Sequence, residues 1–124
     1  MKLNHLDLQT SDVPALTRFL VDHFAFHAIT RLDSPKLAVL SDGHGFTLVI
    51  QRCAETERYP DGFHIGFLVD DPADVVVRHA ALAAAGIAVS EVSRDARGTR
   101  CYCHGPAGLL VEVGCNAGSR VAVP

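Results

Sequence analysis

Hydrophobic and polar residues alternate along Leu3–Gln9, near the start of the chain. This period of two is typical of a strand with one buried face. Leu6 and Leu8 would share the buried face, and His5 and Asp7 would share the opposite one. The segment is therefore predicted to be a strand that carries polar side chains on its open face.

A helix is predicted directly after this strand. Ser11 or Asp12 can cap its N-terminus, and Pro14 suits its first turn. Hydrophobic residues then recur at helical spacing on one side: Val13, Leu16, Phe19, Leu20 and Phe24. Three short strands are predicted to follow, near residues 28–32, 37–41 and 46–53. The resulting order, β-α-β-β-β, makes up one module.

The same order of patterns starts again at Gly62. His64 follows His5 by 59 residues, and Asp71 follows Asp12 by the same 59 residues. Asp70 or Asp71 with Pro72 is predicted to open a second helix, which ends at Gly86. Three more strands are predicted near residues 87–92, 100–104 and 109–114. Such matched halves indicate an internal duplication.

The fold class is therefore predicted as α+β, with two paired β-α-β-β-β modules. The modules cover about residues 1–53 and 62–116 and form a single domain over residues 1–124. Each module has one sheet face covered by its helix and one bare face. Pairing the modules is expected to give a cup-shaped sheet with the helices outside, and the cup is where a ligand would bind.

Composition narrows the class of protein. The chain has 124 residues, of which 48% are hydrophobic and 20% charged, as in a globular domain. Its formal net charge of −3 argues against a nucleic-acid partner. No apolar run is long enough to span a membrane and no signal peptide is recognisable, so a cytoplasmic protein without membrane contact is expected. Cys101 and Cys103 could hold a soft metal with His104, although buried cysteines are more often small apolar residues.

Three residues form a candidate metal site. His5 and His64 lie on the faces of the two first strands that would point into the cup. Glu112 interrupts an otherwise apolar strand, and burying its carboxylate is costly unless it is paired or bound to a cation. Two imidazoles and one carboxylate are a common ligand set for Fe(II) and other divalent metals. In the alternative interpretation, the histidines are hydrogen-bonded core residues and Glu112 pairs with an arginine such as Arg100.

Four motifs stand out in the sequence: Asn4–Leu8, Ser11–Ala15, His64–Asp71 and Gly105–Val113. Together they resemble the vicinal oxygen chelate superfamily, which includes glyoxalases, bleomycin-resistance proteins, fosfomycin-resistance transferases, epimerases and extradiol dioxygenases. The resemblance implies paired modules, a homodimer and a divalent metal (Fe, Mn, Ni or Zn) held by His5, His64 and Glu112. No site for an organic cofactor is expected.

The chain departs from the glyoxalase pattern at Val49, which stands 63 residues before Glu112. A glyoxalase I would have glutamate there as ligand or base, and valine can be neither. Gln51, one pleat further on, could reach the metal through a bulge or could line the cup. The expected substrate-binding residues are Asp7, Thr47, Val49 and Gln51. His104 and Tyr102 are the candidate acid/base residues, although His104 could simply be an exposed turn residue.

Three functions follow from these expectations. The first is a metal-dependent enzyme, lyase-like or dioxygenase-like, whose small substrate chelates the ion through adjacent oxygens. The second is a metal-free protein that binds a drug or metabolite, as bleomycin-resistance proteins do. The third is a fosfomycin-type thiol transferase, although the carboxylate of Asp7 would repel a phosphonate. A homodimer is expected, and Ala81 and Ala84 would allow a helix to approach a neighbouring copy closely.

Overall fold

The computed structural model describes residues 1–55 and 58–118. The chain divides into two compact units: unit 1 contains Met1–Tyr59 and Gly105–Gly108, and unit 2 contains Pro60–His104 and the chain from Leu109 onward. Each unit has one four-stranded sheet and one long helix. The α+β class is therefore confirmed. The modules 1–53 and 62–116, and their pairing around one cup within a single domain, remain predictions.

Unit 1 follows the β-α-β-β-β order of the first predicted module. Its elements are β1 (His5–Thr10), α1 (Val13–His23), β2 (His27–Ala28), β3 (Leu37–Ser41) and β4 (Thr47–Arg52). The sheet order is β1-β4-β3-β2, with β1 parallel to β4 and the other pairs antiparallel. The first and last strands of the module thus lie side by side.

Asp12 caps the N-terminus of helix α1. The Asp12 carboxylate accepts a hydrogen bond from the Ala15 amide at 3.1 Å, which satisfies one of the amides that the first turn leaves without a partner. Leu16 and Leu20 on the helix are fully buried. Leu48 of β4 is also buried, so the apolar side of the helix covers one face of the sheet. The opposite face of this sheet is called the open face of unit 1.

Unit 2 repeats the arrangement with β5 (His64–Leu68), α2 (Pro72–Ala84), β6 (Ser93–Asp95), β7 (Gly98–His104) and β8 (Leu110–Asn116). The sheet order is β5-β8-β7-β6, and β5 runs parallel to β8. Asp71 caps α2 by accepting a hydrogen bond from the Ala73 amide at 2.9 Å. Gly86, just past the helix end, has a φ of +79°, which glycine adopts without strain.

Among residues 1–55 and 58–118, no helix has the length and apolar character needed to cross a bilayer.

The second strand of each module in chain order, which lies at the edge of its sheet, differs from the prediction. The strand predicted near residues 28–32 is reduced to His27–Ala28. The regular ladder stops there because the Thr30 hydroxyl, rather than a backbone carbonyl, accepts the Val39 amide at 3.1 Å, although the Ile29 amide still donates to the Val39 carbonyl at 2.8 Å. The strand predicted near residues 87–92 is wrong: only Val89 forms an isolated bridge there.

A serine explains the second interruption. The Tyr102 amide donates to the Ser90 hydroxyl at 2.9 Å instead of to a carbonyl of a neighbouring strand. A side chain that captures a backbone donor in this way competes with the ladder. The paired strand therefore begins only at Ser93.

Candidate functional site

Strand register determines which residues share the open face of unit 2, the face of its sheet opposite α2. Residues of β5, β8 and β7 stand side by side in three rows. The rows are His64–Leu110–His104, Gly66–Glu112–Tyr102 and Leu68–Gly114–Arg100. Two predicted metal ligands and both candidate acid/base residues thus share one surface.

Glu112 lies at the centre of these rows and is 8% exposed. One carboxylate oxygen, Oε2, is 3.3 Å from Nε2 of His64. The other, Oε1, is 3.1 Å from Nη1 of Arg100. The carboxylate is therefore held between an imidazole and a guanidinium.

Two glycines leave room for this carboxylate. A Cβ at Gly66 would lie 3.6 Å from Oε2 of Glu112, and a Cβ at Gly114 would lie 3.2 Å from Oε1. The second separation is shorter than ordinary van der Waals contact. Neither glycine was predicted to have a role, although Gly66 pairs with Glu112 in the register and Gly114 follows Glu112 by two residues on the same face.

His64 has a defined proton position on one nitrogen. Its Nδ1 lies 2.9 Å from the carbonyl oxygen of Gly62. A carbonyl oxygen only accepts, so Nδ1 must carry a hydrogen, and a neutral ring then has a lone pair on Nε2. That lone pair faces the Glu112 carboxylate, which is also an acceptor. A second proton on the ring or a bound cation is needed to make this contact favourable.

The pair His64–Glu112 fits part of a divalent metal site. Zinc and similar ions bind imidazole nitrogen and carboxylate oxygen at about 2.0–2.2 Å. Two such donors on one ion stand about 3 Å apart, close to the observed 3.3 Å. The Gly62 carbonyl supplies the hydrogen bond that commonly orients a metal-binding histidine.

The third predicted ligand, His5, opens β1 in unit 1, where its exposed side chain lies on the open face. Within residues 1–55 and 58–118, no group of three or more His, Cys, Asp and Glu side chains is placed to hold an ion. The structure thus brings His64 and Glu112 together, and the full triad remains a prediction.

The ion pair with Arg100, which the sequence offered as an alternative, is present. The Arg100 side chain is 9% exposed, and its Nη2 donates to the Arg97 carbonyl at 3.2 Å. A guanidinium is always charged in proteins. Arg100 therefore offsets the negative charge of Glu112 without a metal.

Tyr102 lies beside this cluster, and His104 lies one row away. The Tyr102 ring packs edge-on against the His64 ring, with 6.1 Å between their centroids. Tyr102 is half-buried, whereas His104 is exposed at the end of β7. Of the two candidate acid/base residues, Tyr102 is the one in contact with His64.

The soft-metal alternative has no support among the residues of unit 2 that the structure describes. Cys101 and Cys103 are buried on the face covered by α2, while His104 projects to the open face. Burial raises the pKa of Cys101, and burial together with the nearby Cys101 raises the pKa of Cys103 to about 11. Both thiols are thus protonated at neutral pH and behave as small apolar side chains.

The open face of unit 1 has the same three-row plan with different residues. Its rows are His5–Thr47–Ser41, Asp7–Val49–Val39 and Gln9–Gln51–Leu37. Val49 occupies the position that Glu112 has in unit 2, as the sequence offset indicated. The Gln51 amide donates to the Asp7 carboxylate at 2.5 Å, so two of the four expected substrate-binding residues bond to each other.

Unit 1 also contains a small cavity to which sequence analysis gave no role. Its volume is about 150 Å³, and it is lined by Gln9, Thr10, Cys53, Arg58, Tyr59 and Ala107. The Tyr59 hydroxyl donates to the Gln9 carbonyl, and burial raises the pKa of Tyr59. The phenol therefore stays protonated and acts as a fixed donor.

Comparisons with known proteins agree with this architecture. The family model described as Glyoxalase/Bleomycin resistance protein/Dioxygenase superfamily matches residues 2–113. A solved structure of a possible glyoxalase from Bacillus cereus is 30% identical, with a TM-score of 0.80, over 93% of this chain and 99% of that one. No curated protein sequence matches significantly.

Two further solved structures share the fold at lower identity. A lactoylglutathione lyase from Agrobacterium tumefaciens is 23% identical, with a TM-score of 0.77, over 98% of this chain and 97% of that one. The fosfomycin resistance protein FosX from Listeria monocytogenes is 19% identical, with a TM-score of 0.77, over 98% of each chain. Both likenesses concern the fold alone.

Proposed function

The chain belongs to the glyoxalase/bleomycin resistance protein/dioxygenase superfamily, and on this premise we propose that it is a divalent-metal-dependent enzyme. Its substrate would be a small molecule that binds the ion through two adjacent oxygens. The ion, one of Fe, Mn, Ni or Zn, would be held by His64 and Glu112 together with His5. When bound, it would act as a Lewis acid that stabilises negative charge developing on a substrate oxygen.

One observation carries this proposal. Nε2 of His64 and Oε2 of Glu112 are 3.3 Å apart, and the other ring nitrogen, Nδ1, donates a hydrogen bond to the Gly62 carbonyl. Two acceptors that face each other at this distance favour a cation between them. Because Nδ1 is engaged by the Gly62 carbonyl, a neutral His64 ring presents a lone pair on Nε2, rather than an N–H, to the carboxylate.

Neighbouring side chains would position the substrate. The hydroxyl of Tyr102 can donate to a substrate oxygen, and His104 can exchange a proton with solvent because it is exposed. Asp7, Thr47, Val49 and Gln51 on the open face of unit 1 are proposed substrate contacts. The hydrogen bond between Asp7 and Gln51 orients both groups, so they would favour a substrate that offers hydroxyl or amine donors.

Metal content tests the proposal directly. His5→Ala, His64→Ala and Glu112→Ala should each lower the occupancy of Mn, Fe, Ni or Zn at least about tenfold, since the loss of one ligand of three weakens the site strongly. Val49→Ala, at the matching position of unit 1, is the control and should retain the ion. Unchanged occupancy in all three variants contradicts the proposal. Lactoylglutathione is a first substrate to assay with the loaded protein, given the name of the A. tumefaciens relative.

The second candidate is a metal-free protein that binds a drug or metabolite. It is favoured by the ion pair between Arg100 and Glu112 at 3.1 Å, which neutralises the carboxylate without an ion. Thermal melts distinguish the two functions, because a ligand that binds only the folded state raises the melting temperature. A shift with any of the four ions supports the enzyme, and the absence of a shift with all of them supports the binder. No specific observation favours a fosfomycin-type transferase.

The homodimer expected from the family resemblance is part of the proposal. β5 lies at the edge of its sheet and ends in Leu68, which is 62% exposed, so a second copy would pack against this edge. Light scattering that gives the mass of one chain at all accessible concentrations contradicts the dimer.

A further inference from the structure

Arg100 is a buried cation whose contacts are only partly satisfied. Nη1 reaches one oxygen of Glu112 at 3.1 Å, and Nη2 donates to the Arg97 carbonyl at 3.2 Å. Its buried Nε has no hydrogen-bond partner among residues 1–55 and 58–118. Arginine often binds carboxylate through two parallel hydrogen bonds, one to each oxygen. Here it takes a single oxygen.

The other oxygen of Glu112 is left for a different contact. Oε2 points to His64, at 3.3 Å from Nε2. The carboxylate thus divides its two oxygens between a permanent protein cation and a nitrogen of the type that binds metals. A bidentate ion pair would have engaged both oxygens of Glu112 and left neither available to a metal ion.

We propose that Arg100 is a built-in competitor of the divalent ion: it neutralises Glu112 when the site is empty and weakens ion binding. This inference rests on the proposed function, since it assumes that Glu112 and His64 hold a metal. The guanidinium cannot lose its proton, and an ion on the same carboxylate would be repelled by it across a poorly screened interior. The result is a site that remains folded without metal and binds the ion reversibly.

The duplicated unit supports this coupling between Arg100 and Glu112. In unit 1 the position of Glu112 is taken by Val49, and the position of Arg100 is taken by Leu37. The cation and the carboxylate are thus present together in one unit and absent together in the other. The sheet itself does not require an arginine at this position, and the buried carboxylate does.

The test compares two single-charge removals in the same hairpin. Arg100→Met removes the buried cation and retains an unbranched side chain. Arg97→Gln is the matched control, because the Arg97 side chain is 70% exposed and pairs with Asp95 at the surface, 3.3 Å away. Calorimetric titration with Mn²⁺ and Zn²⁺ measures affinity, and melting temperatures are recorded in EDTA and in excess ion.

Arg100→Met should bind the ions at least tenfold more tightly than wild type, and Arg97→Gln should bind them as wild type does. The melting temperature of Arg100→Met should fall in EDTA and recover with ion. Equal or weaker binding by folded Arg100→Met overturns the inference, because a merely structural arginine would lower affinity when removed. Ion binding by none of the three proteins contradicts the proposed function as well.

A second variant keeps the test valid if Arg100→Met does not fold. Arg100→Gln retains a hydrogen-bond donor for Oε1 of Glu112 but carries no charge. It should also bind Mn²⁺ and Zn²⁺ more tightly than wild type, and weaker or equal binding overturns the inference.

Discussion

The two units use one strand plan for different purposes. The central row of the open face is Asp7–Val49–Val39 in unit 1 and Gly66–Glu112–Tyr102 in unit 2. Unit 1 thus has its carboxylate on the edge strand, where it is exposed, and unit 2 has it on a central strand, where it is buried. The same backbone register therefore supports two opposite placements of negative charge.

The difference shows what a buried carboxylate requires in this fold. Glu112 is accompanied by a cation at Arg100 and by space above Gly66 and Gly114. Unit 1 has none of these at the matching positions, which are Leu37, Asp7 and Gln51. A duplicated fold does not by itself duplicate a site, because several linked residues must change together.

The largest expected effect comes from removing one charge in each unit without changing its shape. Glu112→Gln should lower the free energy of unfolding by about 3–5 kcal/mol, because it leaves Arg100 as an uncompensated buried charge. Asp7→Asn should change it by no more than about 0.5 kcal/mol, because the exposed amide can still accept from Gln51. Urea unfolding in EDTA measures both.

A loss of unfolding free energy in Glu112→Gln as small as that in Asp7→Asn would remove the distinction between the units. In that case, the Arg100–Glu112 pair would have to be exposed to solvent enough for water to replace the lost partner. Equal m-values in the two titrations would rule out a change in the denatured state as the cause.

A second contrast concerns the thiols, because Cys101, Cys103 and Cys115 are buried in unit 2 whereas Cys53 in unit 1 is half-buried. Burial raises the pKa of Cys103 to about 11 from 9.0. The folded state therefore holds this proton more tightly. The contribution of the protonated thiol to the free energy of unfolding is complete below pH 9 and is lost as pH rises toward 11. The loss is roughly 2–3 kcal/mol at about 1.4 kcal/mol per pKa unit.

Cys103→Ala measures this contribution. Its stability relative to wild type should improve by roughly 2 kcal/mol between pH 8 and pH 10.5, because alanine has no proton to lose. Cys53→Ala is the control for removing a thiol as such. A pH-independent difference for Cys103→Ala would show that its thiol is not shielded from water.

Much of the fold could be predicted because it depends on local rules. Alternation identified both first strands, and the cap candidates Ser11 or Asp12 and Asp70 or Asp71 identified where the helices begin; in the structure the caps are Asp12 and Asp71. The strand predicted at residues 87–92 failed for a reason that alternation does not report. Ser90 captures the amide of Tyr102 with its side chain, and that capture becomes visible only once the strands are placed side by side.

The site was predictable in kind but not in detail. A glutamate within an apolar strand needed a cation, and the sequence offered both a metal and Arg100 as that cation. Alternation places Arg100 and Glu112 on one face but gives no distance between them. The reach of a long side chain depends on what its neighbours leave open, here Gly66 and Gly114.

The two glycines around Glu112 should respond differently to a methyl group. Gly114→Ala is expected to cost about 1–2 kcal/mol, because its Cβ would lie 3.2 Å from an oxygen that Arg100 holds in place. Gly66→Ala, with 3.6 Å to the nearest atom, should be neutral or stabilising by up to about 0.5 kcal/mol. Thermal melts of both variants suffice. Equal effects would mean that the carboxylate moves freely within its space.

The smallest expected effect concerns the N-terminal caps of the two helices, a feature that the units share. Asp12 and Asp71 cap α1 and α2 through hydrogen bonds of 3.1 Å and 2.9 Å to amides in the first turn. Asp12→Ala and Asp71→Ala should each cost about 1 kcal/mol, the usual value for a lost N-cap, since both bonds are local and neither involves the open face. Substitution by Asn should restore most of the stability, because its amide oxygen accepts the same bond. Losses measured by urea unfolding that differ by more than about 1 kcal/mol would show that one aspartate has a role beyond its cap, and the equivalence of the two units would then be limited to their strands.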